Sequence, residues 1–149
     1  MVTHYIHRGL AKKNFKENTL SAFKYSFKKK YGIETDLQVT KDNQLICFHD
    51  LNLRRKFNLN KNVKDINYSS LKKISKKRKA TVPLLKDLLK ISKNRYPLLL
   101  EIKPLLTKLS LLSLIKLMKK TKKYGIFSFK EKNLINLYKL NKKLTLGLL

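Results

Sequence analysis

Short apolar segments of strand type alternate along the chain with longer segments of helical period, and this alternation restricts the fold more than any other feature. The strand-type segments are residues 2–7, 33–39, 45–48, 98–103, 125–129 and 144–149. Apolar residues at helical spacing occupy 20–30, 82–96, 105–124 and 133–140, with a weaker pattern around 66–74. Such alternation favours an α/β fold with a mostly parallel sheet. Because no repeat or linker interrupts the pattern, residues 1–149 are predicted to form a single domain.

Glycine and proline are scarce, with four and three residues, so each one is expected to mark a boundary. Asn18 or Thr19 is predicted to cap the first helix, and Gly32 to end it. Pro97 is predicted to end the second helix and Gly125 the third. These boundaries place the strand-type segments between helices or turns.

Residues 33–48 are predicted to form an antiparallel hairpin. The segment 41–43 reads Lys-Asp-Asn, which is turn chemistry, and it leaves only a short connection between the two strands. The hairpin would bring His49, at the end of its second strand, back beside Glu34 and Asp36.

Charged residues occur inside two of the strand-type segments. Glu34 and Asp36 are two residues apart, so both side chains project from one face of a strand, and Glu101 and Lys103 repeat this spacing. An acid in an alternating strand usually lies on a solvated face, but charges in so apolar a strand as 98–103 are costly unless paired or metal-bound. Three of the nine acids in the chain fall at these positions. Three converging carboxylates would suit Mg²⁺ or Ca²⁺.

Two histidines, His7 and His49, stand at the ends of strand-type segments. Their ordinary pKa makes them suitable for general acid–base catalysis near neutral pH. A single histidine after a strand is more often a hydrogen-bonded structural residue, so the catalytic interpretation depends on the acidic residues nearby.

These residues belong to an ordered set of motifs that extends over nearly the whole chain. The motifs are His7-Arg8-Gly9, Glu17-Asn18-Thr19-Leu20, Gly32-Ile33-Glu34-Thr35-Asp36, Thr40-Lys41-Asp42, His49-Asp50 with Leu53 and Arg55, Val82-Pro83 with Leu85, Leu100-Glu101-Ile102-Lys103, Ser128-Phe129 and Leu146-Gly147-Leu148-Leu149. In this order and spacing they resemble the signature of the glycerophosphodiester phosphodiesterase family. One departure is Lys16, where the family usually has proline before Glu-Asn-Thr-Leu.

The resemblance implies a TIM-type (β/α) barrel with its site at the carboxyl ends of the strands. The implied roles are Glu34, Asp36 and Glu101 for a divalent cation, Mg²⁺ or Ca²⁺, His7 and His49 for proton exchange with the ester oxygens, and Arg8 and Lys103 for the phosphate. The implied reaction releases an alcohol from a small glycerophosphodiester and leaves glycerol 3-phosphate. In one mechanism the glycerol hydroxyl of the substrate attacks first and forms a cyclic phosphate, which water then opens.

A complete barrel of this type has ~250 residues, so the chain is expected to supply about five of eight barrel strands and to be incomplete at its C-terminal end. Open sheet edges would then favour self-association. A second hypothesis is therefore a truncated, inactive protein that keeps the fold of the family.

A third hypothesis follows from the net charge of +27, which is typical of proteins that bind nucleic acids or acidic membranes. The lysines are dispersed rather than clustered with aromatic residues, which favours a solvated basic surface, and no specific nucleic-acid partner is expected.

Cys47 is the single cysteine, so no internal disulfide forms. No transmembrane or secretory segment is recognised, and a cytoplasmic location is expected.

Overall fold

Six strands form one sheet in the part of the chain that this computed structural model describes, residues 4–11 and 16–148. The strands are β1 (Tyr5–His7), β2 (Gly32–Val39), β3 (Leu45–Cys47), β4 (Leu98–Ile102), β5 (Tyr124–Ser128) and β6 (Leu146–Leu148). Strands β1, β2, β4, β5 and β6 lie side by side in that order and run parallel. Strand β3 pairs antiparallel with β2. The predicted parallel α/β sheet and the predicted hairpin are therefore both confirmed.

Helices connect the parallel strands. In the described residues they are α1 (Leu20–Lys28), α2 (Arg54–Phe57), α3 (Tyr68–Lys77), α4 (Leu85–Ser92), α5 (Lys108–Met118) and α6 (Glu131–Leu140), with a short 3-10 helix at Val63–Asp65. Of the two cap candidates, Thr19 is the N-cap of α1, and its hydroxyl accepts a hydrogen bond from the Ala22 amide. Because each parallel strand leads into a connection at its carboxyl end, these connections gather at one edge of the sheet.

The larger hydrophobic core lies between the helices and one face of the sheet. Its fully buried members from strands and helices include Ile33, Leu98, Leu100, Ile126, Phe23, Leu88, Leu114 and Leu137. A second cluster lies beneath the segment after β3 and includes Ile46, Phe48, Leu53, Phe57, Val63 and Leu71. This second cluster packs beneath the polar region that carries His49. The apolar periodicity of the sequence predicts little regular structure in that region.

The opposite face of the sheet changes in character from one side to the other. The register aligns Asp36 of β2 with Glu101 of β4, Glu101 with Phe127 of β5, and Phe127 with Gly147 of β6. Residues in register on neighbouring strands project from the same face. Carboxylates therefore line one half of this face, and an aromatic ring covers the other half.

The predicted roles of Gly32 and Gly125 are wrong. Gly32 is the first residue of β2, where a Cβ would approach the Pro97 and Tyr5 side chains to 2.9 Å, and Gly125 lies inside β5. The chain leaves α1 through Lys30, whose φ of 63° is left-handed. Both glycines serve close packing between strands instead of ending helices.

The predicted bounds of the second helix also change. Helix α4 ends at Ser92, ahead of Pro97, because Lys93 and Asn94 both adopt a left-handed backbone with φ of 52° and 55°. The first residues of the predicted N-terminal strand and Leu149 of the last one lie outside the described residues. No helix in the described part of the chain is long and apolar enough to cross a membrane.

Candidate active site

Three carboxylates converge at the carboxyl ends of β2 and β4. One carboxylate oxygen each from Glu34, Asp36 and Glu101 lies within 4.8 Å of the others, and among the described residues no other group of histidine, cysteine or acidic side chains gathers in this way. Asp36 is buried, and the other two are half-buried. Burial, together with the charges of Asp36 and Glu101, raises the pKa of Glu34 to about 7. A carboxylate that resists ionisation beside two others is the donor arrangement that a divalent cation would stabilise.

Two cations flank the carboxylates. Lys103 Nζ lies 2.8 Å from Glu101 Oε1 and 3.7 Å from Asp36 Oδ1. Arg8 Nε lies 3.0 Å from Asp36 Oδ2, and Arg8 Nη1 lies 3.3 Å from Glu17 Oε2. The carboxylates and cations together form a compact charged cluster with one more negative than positive group when all three carboxylates are ionised.

The turn after β1 positions Arg8. Arg8 and Gly9 both have positive φ, 57° and 74°, and a Cβ on Gly9 would meet the Phe23 ring at 2.9 Å, so glycine is required there. The Arg8 amide donates to the Glu34 carbonyl at 3.0 Å, which ties the turn to β2. Although Arg8 Nε is close to Asp36, its N–H is not aimed at the carboxylate, and within the described residues this buried nitrogen donates no hydrogen bond.

Asn18 fixes Asp36 from the other side. Asn18 is buried with φ of 51°, its Nδ2 donates to Asp36 Oδ2 at 3.1 Å, and its Oδ1 accepts from the Thr35 hydroxyl at 2.7 Å. Asparagine tolerates the left-handed backbone better than most residues, and its amide has both a donor and an acceptor. Asn18 thus orients the most buried of the three carboxylates.

The two histidines occupy different surroundings. His7 Nε2 lies 3.9 Å from Glu34 Oε2, and the His7 side chain is 70% exposed. His49 Nδ1 is 2.7 Å from Asp50 Oδ1, and the His49 carbonyl accepts a hydrogen bond from the Gln38 side chain. Because the carboxylate of Asp50 favours a proton on Nδ1 of His49, the neutral imidazole has its lone pair on Nε2.

A second charged network surrounds Glu17 and connects both histidine-bearing segments. Arg55 Nη2 donates to Glu17 at 3.0 Å, while Arg55 Nε donates to Asp50 at 2.7 Å. Lys56 Nζ lies 3.2 Å from the Glu17 carboxylate. Burial alone would raise the pKa of Glu17, but the surrounding Arg55, Lys56 and Arg8 outweigh it and lower the pKa to about 2.

The structure brings Glu34, Asp36 and Glu101 together with Arg8 and Lys103, as the sequence motifs predicted, and it places His7 beside them. His49 follows β3 of the hairpin, and its ring lies next to the Asp50 carboxylate. Sequence reasoning assigned no site role to Asn18, Glu17 or Asp50. The signal for these three was their position inside the motifs, since Asp50 adjoins His49, and Glu17 and Asn18 begin the motif Glu17-Asn18-Thr19-Leu20.

Comparison with known proteins gives the family. Residues 7–149 match the model of the glycerophosphoryl diester phosphodiesterase family. The chain belongs to this family.

Individual relatives cover part of the chain and are longer than it. A glycerophosphodiester phosphodiesterase from Bacillus altitudinis is 34% identical over 110 residues, which are 68% of this chain and 44% of that protein. The human lysophospholipase D GDPD1 is 41% identical over 69 residues, which are 46% of this chain and 22% of that protein. The regions of the chain that match thus span less than half the length of each of these curated relatives.

Solved structures match almost the entire chain in fold. A glycerophosphodiester phosphodiesterase from Thermotoga maritima superposes with a TM-score of 0.83 at 24% identity, over 99% of this chain and 62% of that one. An Oleispira antarctica phosphodiesterase, solved with its product sn-glycerol-3-phosphate, gives a TM-score of 0.84 at 20% identity, over 99% and 65%. The predicted family and the predicted barrel-type α/β fold are therefore confirmed.

Proposed function

We propose that the chain hydrolyses small glycerophosphodiesters to an alcohol and glycerol 3-phosphate, with help from a divalent cation. The observation that carries the proposal is the convergence of Glu34, Asp36 and Glu101 within 4.8 Å, flanked by Arg8 and Lys103. Family membership and the product named for the Oleispira antarctica structure support the choice of substrate.

Charge balance favours a cation and a phosphodiester together. When all three carboxylates are ionised, they and the two side-chain cations have a net charge of one negative unit. Burial and the charges of Asp36 and Glu101 oppose this ionisation, which is why the pKa of Glu34 is raised. A bound Mg²⁺ or Ca²⁺ would reverse this to a single positive charge, which matches the single negative charge of a phosphodiester. Glu34, Asp36 and Glu101 would hold the ion, and the ion would supply Lewis-acid stabilisation of charge that develops on the phosphoryl group.

Arg8 and Lys103 are proposed to bind the phosphate. Both cations pair with the carboxylates in the structure, and Arg8 Nε has an N–H without an acceptor among the described residues. Occupation of the triad by a cation would weaken those pairs and direct the two side chains to the phosphate oxygens. A guanidinium can donate two N–H groups in parallel to a phosphate, which also orients it.

His7 and His49 are proposed to exchange protons with the two ester oxygens. His49 has its Nδ1 engaged by Asp50, so its Nε2 is the reacting atom, while His7 stands at the exposed edge of the triad. One imidazole would remove a proton from the attacking hydroxyl, and the other would protonate the departing alcohol oxygen. We propose the glycerol hydroxyl of the substrate as the first nucleophile, followed by hydrolysis of the cyclic phosphate.

The test is release of glycerol 3-phosphate from glycerophosphocholine, with and without a chelator. We expect divalent-cation-dependent release that falls by at least about 100-fold in His49→Ala and in Glu101→Gln. The matched controls are His4→Ala and Glu131→Gln, which make the same substitutions at exposed positions outside the charged cluster. The proposal fails if purified, folded protein releases no glycerol 3-phosphate, or if the control variants lose as much activity as the site variants.

A further inference from the structure

The most exposed apolar side chains of the described residues gather beside the candidate active site. Four of the five large hydrophobic residues with the greatest exposure belong to this region: Leu51 at 63%, Leu105 at 55%, Leu109 at 62% and Phe129 at 66%. They lie in three different connections, which follow β3, β4 and β5. Their proximity therefore results from the fold and not from closeness in the sequence. Convergence of exposed apolar groups usually marks an interaction surface.

Three of these side chains line a groove that also contains four lysines. The groove has a volume of about 760 Å³ and is bordered by the β2–β3 turn, the segment after β3 and the β4–α5 connection. Its basic lining residues are Lys41, Lys64, Lys103 and Lys130, and no acidic side chain is among its described lining residues. Phe129 adjoins it, since Lys103 Nζ lies 6.0 Å from the centre of its ring. We call this surface, with Leu51, Leu105, Leu109 and Phe129, the leucine–lysine groove.

The walls of the groove are firmly connected. Asn43 in the β2–β3 turn accepts a hydrogen bond from the Ser110 hydroxyl at 2.6 Å and donates to the Ser113 hydroxyl at 3.0 Å. Asp42 in the same turn accepts from the Thr40 hydroxyl and from the Tyr68 amide. The turn is therefore fastened to α5 and to α3, and the exposed leucines are presented on a preformed surface.

The chemistry of this surface fits an anionic lipid bilayer. Leucine and phenylalanine side chains are stabilised when they enter the interfacial region of a bilayer, and each lysine near an anionic bilayer adds electrostatic attraction. A nucleic acid would use the lysines but would leave the three leucines in water, and Phe129 is the one aromatic side chain that this surface offers for stacking of bases. The net charge of +27 adds long-range attraction to any anionic surface.

We propose that the leucine–lysine groove docks the protein on an anionic lipid bilayer. Lys103 belongs both to the groove and to the charged cluster of the site, so docking would turn the mouth of the site towards the lipid headgroups. Docking does not depend on the proposed hydrolysis, since binding to vesicles needs no turnover.

The first experiment compares apolar residues inside and outside the groove. The probe is sedimentation with vesicles of phosphatidylcholine alone or with about 30% phosphatidylglycerol, in 0.15 M and 0.5 M NaCl. We expect binding only to the anionic vesicles, and at least a tenfold weaker affinity in the Leu105→Ser, Leu109→Ser double variant. The matched control is Leu112→Ser with Leu140→Ser, which are exposed at 45% and 42% on α5 and α6.

The second experiment compares lysines at equal net charge. We expect Lys41→Gln, Lys64→Gln and Lys130→Gln together to weaken vesicle binding at least tenfold. Lys72→Gln, Lys73→Gln and Lys76→Gln on exposed α3 should weaken it less than threefold. Lys103 is left unchanged in both sets because it belongs to the proposed catalytic machinery.

Three outcomes would overturn the proposal. Equal weakening by the two lysine sets would mean that net charge alone causes binding. If the leucine substitutions left vesicle binding unchanged, insertion of the groove into the bilayer would be excluded. Binding of a DNA oligonucleotide that depends on the same residues more strongly than vesicle binding would assign the surface to a nucleic acid. Circular dichroism of every variant shows whether it is folded, and retained glycerol 3-phosphate release in the leucine variants would separate docking from catalysis.

Discussion

The face of the sheet opposite the larger hydrophobic core has two halves, which share one backbone geometry and differ in chemistry. In the polar half, formed by β1, β2 and β4, Glu34, Asp36 and Glu101 converge with cations. In the apolar half, formed by β5 and β6, Phe127 stands in register with Glu101 and covers Gly147, where a Cβ would meet its ring at 2.7 Å. Parallel pairing is continuous from one half to the other.

The difference shows that one layer of a parallel sheet serves two purposes. The polar half keeps like charges close together, which costs stability and forms the candidate active site. The apolar half packs an aromatic ring on glycines, which adds stability without reactive groups. Four predictions test this division, in order of decreasing expected effect.

The largest effect is expected for Asp36→Asn in the polar half. Asp36 contacts Arg8, Lys103 and Asn18, and its carboxylate would bind the cation, so we expect glycerol 3-phosphate release to fall on the order of 10³-fold. Phe127→Leu, in the same layer, should reduce activity less than about tenfold because it removes no charge or ligand. Similar losses in both variants would contradict the division of the face.

A smaller effect, on stability, is expected for Phe127→Ala in the apolar half. The ring is half-buried and rests on Gly125 and Gly147, so its removal should lower the free energy of unfolding by about 2 kcal/mol. Phe129→Ala is the matched control, since that ring is 66% exposed beyond the end of β5, and it should change stability by less than about 0.5 kcal/mol. Urea unfolding measures both, and equal values would mean that the Phe127 ring does not belong to the packed layer.

Glu34→Gln should stabilise the metal-free protein at high pH. The pKa of Glu34 is raised to about 7 in the folded state, so its favourable contribution is fully present below the unfolded value of 4.5 and is lost as pH rises through 7. The glutamine side chain avoids this loss, and we expect the variant to exceed the parent by about 1 kcal/mol at pH 8, after allowance for solvent screening. At pH 4.5 the two should be equal.

Saturating Mg²⁺ or Ca²⁺ should reverse that order at pH 8, because the ion needs the ionised carboxylate. Thermal unfolding with a chelator and with each ion measures the reversal. A parent protein that is more stable than Glu34→Gln even without metal would show that the carboxylates do not repel each other in the folded state.

The smallest effect is expected for Glu17→Gln in the network that supports the polar half. The pKa of Glu17 is lowered to about 2 by Arg55, Lys56 and Arg8 against the effect of burial, so its contribution is present above pH 4.5 and is lost as pH falls towards 2. We expect the variant to be less stable by about 1 kcal/mol at pH 7, with the difference disappearing near pH 2. Urea unfolding over this range measures it, with Glu131→Gln at an exposed position of α6 as the matched control. A constant difference at every pH would assign the effect to packing instead of charge.

Several features follow from the sequence by itself. Local period distinguishes strands from helices, so the parallel α/β sheet and the hairpin at β2 and β3 were predictable. The spacing of Glu34 and Asp36, and of Glu101 within an apolar strand, predicted that carboxylates would share one face. Motif order over nearly the whole chain was enough to recognise the family.

Other features were decided by contacts between residues far apart in the chain. Gly32 resembles a helix stop locally, but it begins β2, where a Cβ would meet the Pro97 and Tyr5 side chains at 2.9 Å. No local pattern indicates that Asn18 orients Asp36 across 18 residues, or that Arg55, which binds Asp50, also donates to Glu17 across 38 residues.

The leucine–lysine groove is the clearest case of tertiary control. Its leucines and lysines appear dispersed in the sequence, which made the basic surface look merely solvated, and the folded connections after β3, β4 and β5 gather them into one surface. Periodicity describes which face of an element is buried, because that depends on neighbours three or four residues away. Which residues meet at the end of a sheet depends on strand order and register, and these are set only when the whole sheet forms.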